Sequence, residues 1–259
     1  MKKRYAFTPD ERFEADLDDL RRLLDENRQY LANYEEVFSS LDDDDYVARG
    51  NGFCDRKYSD DFIEGQMDKY ASRVAMLERW IAEWPLETLK DGNARFVAGK
   101  SARPTDYAAD RERLSQGQRP FAVVLCCSDS RVVPEILFDQ GLGDLFVIRN
   151  AGNVIDEDVL GSVEYAVEHL GTKLVVVMGH SNCGAVTATY HGGVLPGHIK
   201  TIAERIRLSL NADFHIDDNA RRHAQRMARL IAADTIVKHE KAQVLAAFYD
   251  IKSGVVEWM

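Results

Sequence analysis

The sequence predicts an α/β fold: a mostly parallel β-sheet flanked by helices, with an N-terminal helical hairpin extension. Three observations predict it. From about residue 86 onward, the short apolar runs FAVVLC, DLFVIRN, KLVVVMG and AQVLAAFYDI alternate with amphipathic stretches. That texture belongs to buried strands joined by crossover helices. Before residue 86 the apolar residues recur instead at spacings of three and four, the period of a helix face. Charge divides at the same place. Residues 1–85 hold 21 Asp and Glu against 13 Lys and Arg, whereas residues 86–259 hold 22 against 20. The expected organisation is an acidic α-helical hairpin over 1–85 and an α/β domain over 86–259.

In the first segment, Phe13, Leu17, Leu20, Leu24, Asn27, Leu31, Tyr34, Phe38 and Leu41 line one stripe, with Thr8 as N-cap and Pro9 at the first helical position. The acidic, glycine-containing stretch DDDDYVARGNG interrupts the pattern. A second stripe runs through Ile63, Met67, Tyr70, Val74, Leu77, Ile81 and Trp84, and Pro85 is expected to stop it. Two such stripes predict an antiparallel hairpin whose helices pack on each other and on the domain behind them, or that serves as an oligomerisation or docking arm. Asp42 to Asp45 lack the spaced ligands of a calcium loop, so they read as a solvated turn, and Cys54 beside them reads as an incidental thiol.

Composition excludes several function classes. A formal net charge of −10 disfavours nucleic acid, whose phosphates recruit clustered Lys and Arg. No apolar run approaches the roughly 18 residues of a membrane span, and MKKRYAFTPDERF has a basic start with no apolar stretch behind it. A cytoplasmic protein is expected. Four cysteines, two of them adjacent, are too few and too unevenly spaced for a disulfide framework, which leaves metal binding or catalysis.

Two turns follow predicted strands and carry the chemistry. The first is CCSDSR after Leu125, the second GHSNCGAV after KLVVVM. Ligands in parallel sheets gather beyond the carboxyl ends of strands, where both turns fall. His180 and Cys183, three apart at the expected start of a helix, would share one face and could hold one metal ion. Cys126 and Cys127 point to opposite faces of a strand, so only one of them is expected to join the set. Two thiolates and an imidazole suit zinc, and three protein ligands leave an open position where water is acidified to a pKa near about 7. Asp129 and Arg131, two apart in the same turn, form a pair in which the planar guanidinium can hold the carboxylate by two bonds and leave it to orient water.

The order and spacing of CSDSRV, RNAGN, GSVEYAV and GHSNCGAV closely resemble the β-class carbonic anhydrases, over roughly two-thirds of the chain. The resemblance implies that Cys127, His180 and Cys183 bind one Zn2+ per chain, with Asp129 and Arg131 as the catalytic dyad and Cys126 at a non-ligand position. In that family the aspartate can also swing onto the zinc and close the site. Gln118 matches a glutamine that can donate to bicarbonate, and Phe146 and Tyr165 match aromatic residues of the carbon dioxide pocket. Parts of that wall come from a partner subunit in family dimers, so a homodimer or higher even homo-oligomer is expected. The implied reaction is reversible hydration of carbon dioxide to bicarbonate and a proton by attack of zinc-bound hydroxide. His191, His198, His215 and His223 are candidates by type for carrying the proton out.

The chain departs from the family in its hairpin, in His223 where an Asn is expected, and in Ala246 where Gly is frequent; the last two are expected to bear on packing at the dimer interface. Hydrolysis of carbonyl sulfide or carbon disulfide on the same site is a second enzymatic reading, which Gln118 beside a polar dyad disfavours. A non-catalytic bicarbonate-binding or scaffold role is a third. Against it, Val123, Val124 and Leu125 occupy the strand where regulated members carry a tryptophan. A C-x5-R phosphate loop is excluded because Cys126 to Arg131 is one residue short and the turn lacks glycines.

Overall fold

The computed structural model describes residues 17–39, 60–103 and 107–259. Thr8, Pro9, Phe13, Leu41, Asp42 to Asp45 and Cys54 lie outside the described residues, as do the side chains of Leu17, Phe38 and Ile63. The chain divides into two compact units, Met1–Trp84 and Pro85–Met259.

Helix α1 spans Leu17–Ser39 in the first unit, and helix α2, Asp60–Val97, begins in the first unit and ends in the second. Leu20, Leu23 and Leu24 bury against Leu77 and Trp80, with Val74, Met76, Ile81 and Trp84 packed around them. Further along, Arg28 Nη2 donates to Glu78 Oε1 at 2.8 Å, and Tyr30 and Tyr34 stack on Tyr70 at 5.3 and 5.7 Å between ring centroids. Early residues of α1 meet late residues of α2, so the pair is antiparallel. The expected stop at Pro85 does not occur, because α2 continues for twelve residues beyond it. Proline removes one N–H from the helical ladder, but Leu89, Gly92 and Asn93 beyond it are buried and hold the helix on. A Cβ on Gly92 would lie 1.7 Å from the carbonyl oxygen of Phe138, a close approach that requires glycine there.

The second unit is built on five strands, β1 (Ala122–Cys127), β2 (Leu145–Asn150), β3 (Leu174–His180), β4 (Gln243–Tyr249) and β5 (Val256–Trp258), and on the helices α3 (Ala108–Leu114), α4 (Pro134–Leu137), α5 (Glu157–Glu168), α6 (Gly184–His191), α7 (Ile199–Arg207), α8 (Ile216–Ala233) and α9 (Thr235–His239) that follow α2. Their order is β2-β1-β3-β4-β5, with the first four parallel and β5 antiparallel at the edge. Every residue of β1 and β3 is buried, the expected state of strands covered on both faces. On one face Val123, Leu125, Val175 and Val177 pack against Val159, Val163 and Val167 of α5 (Glu157–Glu168), Met227 and Ile231 of α8 (Ile216–Ala233) and Val237 of α9 (Thr235–His239). Asp156 caps α5 by accepting from the Val159 N–H, and Asp234 caps α9 from Ile236 and Val237. After β1 the chain passes to β2 on one side and then to β3 on the other. The carboxyl ends of β1 and β3 therefore flank the crevice where open α/β sheets bind ligands.

Two polar anchors tie distant parts of this unit together. The Asn93 side chain donates to the Leu137 and Gly254 carbonyls at 3.1 and 2.9 Å and accepts from the Val256 N–H at 2.9 Å. Asp139, at φ 51°, accepts from Arg95 Nε at 2.6 Å, from the Ala102 and Arg103 N–H groups at 2.9 and 3.1 Å, and from Ser101 Oγ. Burial opposes ionisation of Asp139, but these bonds outweigh it and lower its pKa. A carboxyl held below its unfolded value contributes stability in full above that value, near about 3.9, and loses it as pH falls further. Asp139→Asn is expected to cost about 3 kcal/mol at pH 7 by urea titration, with the gap to the parent narrowing below about pH 4. An equal gap at pH 3 and pH 7 would refute the ionised clamp.

His223 and Ala246 do not face outward as an interface would require. His223 is fully buried, and Ala246 lies in the core under α8. A position inside the sandwich is set by packing within the chain.

Candidate metal centre

Cys127 is the last residue of β1, His180 the last of β3, and Cys183 the N-cap of α6 (Gly184–His191). His180 and Cys183 thus do not share a helix face, as their spacing suggested. A tight turn with Asn182 at φ 54° folds the chain back between them, and strand end and helix start converge. The Asn182 N–H donates to Asp217 Oδ1 at 2.8 Å, and the Ser181 N–H donates to the Tyr249 carbonyl at 2.9 Å, which fastens this turn. Because β1 and β3 are neighbours, the two sulfurs and the imidazole come within 4.8 Å of one another, all three residues buried.

The donor set fits a metal ion. His180 Nδ1 lies 2.9 Å from the Ser181 carbonyl, which can only accept, so Nδ1 carries the proton and Nε2 presents a lone pair. That Nε2 is buried with no hydrogen-bond partner among the described residues, an uncompensated polar atom that coordination would satisfy. The Cys183 thiol beside Cys127 holds the Cys127 pKa down, to about 4, against the opposing cost of burial. Further help comes from the Gly152 N–H, which lies 3.3 Å from the sulfur. Cys183 is pushed up in turn, first by Cys127 and then by burial. Ionising one of these neighbouring sulfurs hinders ionising the other, a cost that a cation held between them would relieve.

Asp129 and Arg131 are joined as their spacing predicts. Arg131 Nε donates to Oδ1 at 2.9 Å, Nη2 to Oδ2 at 2.7 Å, and the Arg131 backbone N–H to Oδ1 at 3.0 Å. The side-chain bond to Arg131 is the first cause that holds the Asp129 carboxyl below the usual carboxylate range. Asp129 Oδ2 is 4.0 Å from His180 Nε2, which puts the carboxylate at the edge of the cluster. Arg149, for which the sequence suggested no role, donates Nε to the Cys127 carbonyl at 3.2 Å and Nη2 to the Asp129 carbonyl at 2.7 Å. Its planar fork fixes the whole turn. Arg149 and Gly152 both lie in RNAGN, and that stretch was the available signal.

Cys126 faces away from the cluster. It is fully buried, and burial pushes its thiol up to about 12. Gln118, Phe146 and Tyr165 are not brought to the cluster within one chain. Gln118 precedes β1 at its amino end, Phe146 pairs with Val123 near that end, and Tyr165 packs on Phe146 at 6.3 Å between ring centroids. Ala122 and Cys127, the first and last residues of that strand, are five steps apart, about 17 Å at about 3.3 Å per residue. Of the histidines named by type, His191, His198 and His215 are exposed, whereas His223 has both ring nitrogens engaged inside the protein and is unsuited to exchange protons with water.

A sequence profile described as carbonic anhydrase matches residues 122–256, over half of the chain and all of the cluster. The chain belongs to the β-class carbonic anhydrase family. Carbonic anhydrase 2 of Mycobacterium tuberculosis is 44% identical over 188 residues, covering 67% of this chain and 90% of that protein. The carbonic anhydrase of Mycolicibacterium smegmatis is 54% identical over 134 residues, covering 50% of this chain and 64% of that protein. Likeness to these carbonic anhydrases supports carbonate dehydratase activity. Among solved structures, one of two tetrameric β-carbonic anhydrases from the filamentous ascomycete Sordaria macrospora shares the fold at 24% identity and a TM-score of 0.53, covering 67% of this chain and 95% of that chain. No helix among the described residues is long and apolar enough to cross a membrane.

Proposed function

We propose that this carbonic anhydrase family member is a zinc enzyme that catalyses the reversible hydration of carbon dioxide to bicarbonate and a proton. The observation that carries the proposal is the buried Nε2 of His180, without a hydrogen-bond partner among the described residues, facing two buried thiols beside an arginine-held carboxylate. Cys127, His180 and Cys183 would hold one Zn2+ per chain. Bound there, zinc supplies a water acidified to near neutral pH and a Lewis acid for the developing negative charge. Arg131 keeps Asp129 ionised and turned aside, so that its carboxylate accepts a proton-bearing contact and orients the attacking oxygen. Arg149 and the Gly152 N–H hold the Cys127 turn rigid while charge changes beside it.

Gln118, Phe146 and Tyr165 are proposed to bind substrate in an assembled protein, where the amino end of one sheet can reach the metal centre of a second copy. A homo-oligomer of even order is therefore part of the reading, and the tetrameric Sordaria proteins are consistent with it. The acidic helical unit is proposed to serve assembly or a protein partner. A cytoplasmic location suits a site built on two reduced thiols.

Stopped-flow hydration of carbon dioxide at about pH 8, with zinc determined on the same sample, tests the proposal. Turnover proportional to zinc content is expected. Zinc at one per chain without hydration, including after the pH is raised to release a coordinated Asp129, would overturn it and favour carbonyl sulfide hydrolysis or a binding role.

A further inference from the structure

We propose that His223 is a positioning residue for the metal centre, acting through the backbone of Gly152 on the Cys127 thiolate; the inference rests on Cys127 being a metal ligand. The path is short and continuous. The Gly152 N–H lies 3.3 Å from Cys127 Sγ, the Gly152 carbonyl oxygen lies 2.8 Å from His223 Nε2, and His223 Nδ1 lies 3.0 Å from Ser209 Oγ. A carbonyl only accepts, so Nε2 donates and Nδ1 is left to accept from the serine hydroxyl. His223 is fully buried and Ser209 is 4% exposed. Burial lowers the His223 pKa to about 4, which keeps the ring neutral and the tautomer single.

The arrangement has a mechanical reason. Gly152 sits in the one-turn 3-10 segment Ala151–Asn153 at φ 73°, where a residue without Cβ has the widest backbone freedom. Its N–H and its carbonyl flank that one flexible Cα. Fastening the carbonyl to an imidazole that is itself held by Ser209 removes the freedom that would let the N–H turn away from sulfur. A Cβ at this position would fall 2.7 Å from Ile206 Cδ1, so the restraint is placed on the carbonyl, with no side chain of its own. An N–H bonded to a thiolate draws charge from it, so the relay sets how much the sulfur donates to the metal. This is a use for His223 that neither proton shuttling nor interface packing supplies.

The test uses the full-length protein loaded with cobalt(II), whose sulfur-to-metal charge-transfer band reports thiolate donation without reference to turnover. His223→Met keeps the side-chain volume and removes the donor, whereas His223→Gln retains an Nε2 donor. In the Met variant the band is expected at longer wavelength, and in the Gln variant it is expected close to the parent. An unmoved band in the Met variant, or a Gln variant that behaves like Met, overturns the inference. Loss of thermal stability common to both variants does not count for it. If the Met variant fails to fold, 15N shifts of the parent decide: an Nε2–H tautomer at His223 supports the relay, and an Nδ1–H tautomer overturns it. A parent protein that takes up cobalt with no sulfur band sinks the metal assignment itself, a result distinct from an unmoved band.

Discussion

Cys183→Ser is expected to lose zinc and carbon dioxide hydration together. A hydroxyl keeps its proton where a thiolate gives it up, and oxygen is a harder donor than the sulfur it replaces. A structural zinc held by four ligands is worth about 10–16 kcal/mol, so one ligand is worth about 3, or roughly a hundredfold in affinity. The leftover turnover should track the zinc that survives dialysis. Cys126→Ser is the matched control. Its sulfur is buried on the opposite face of β1 and its thiol keeps its proton to about pH 12, so that variant is expected to hold full zinc and full activity. Zinc analysis and stopped-flow hydration on both variants decide the matter, and loss of zinc from Cys126→Ser with retention in Cys183→Ser would reverse the ligand assignment.

The second large effect separates activity from metal content. Arg131→Ala is expected to lower hydration by about a hundredfold, the scale on which a positioned acid or base acts, while zinc stays bound. Arg131 is the first cause of the depressed Asp129 pKa, and its two side-chain bonds restrain a carboxylate whose Oδ2 is only 4.0 Å from His180 Nε2. Once released, that oxygen becomes a ready ligand and competes for the open coordination position. Zinc affinity equal to or above that of the parent, with hydration reduced, is the expected pair of readings. Unchanged hydration would show that the pair is only a salt bridge closing a turn.

How far the chain could be read before it was folded depends on the range of each signal. The four parallel strands were legible because β-branched runs and the punctuation around them are local, and β1 to β4 begin and end within a residue or two of those runs. Asp129 and Arg131 were legible for the same reason, since two residues apart in one turn leaves the fork little choice of partner. Pro85 misled because the local rule for proline counts one lost hydrogen bond and takes no account of Leu89, Gly92 and Asn93, which bury beyond it. Trp80 was absent from the expected stripe yet lies at the centre of the hairpin core. A heptad spacing names one residue per turn, and a large neighbouring ring can take the seam instead.

Residue types and spacings alone determined that this protein would carry buried parallel strands and place soft metal donors and a carboxylate–guanidinium pair at their ends. Only the tertiary structure decided that β1 and β3 are neighbours, and so that Cys127 meets His180 and Cys183 while Cys126 faces the other way. It likewise decided that His223 reaches Gly152 across 71 residues of sequence, and that Gln118, Phe146 and Tyr165 stay at the far end of the sheet from the cluster. The physical reason is one of range. Periodicity and turn chemistry act over a few residues and are written where they act. Strand order is set by whichever arrangement buries the most apolar surface with every buried polar group paired, a property of the whole chain.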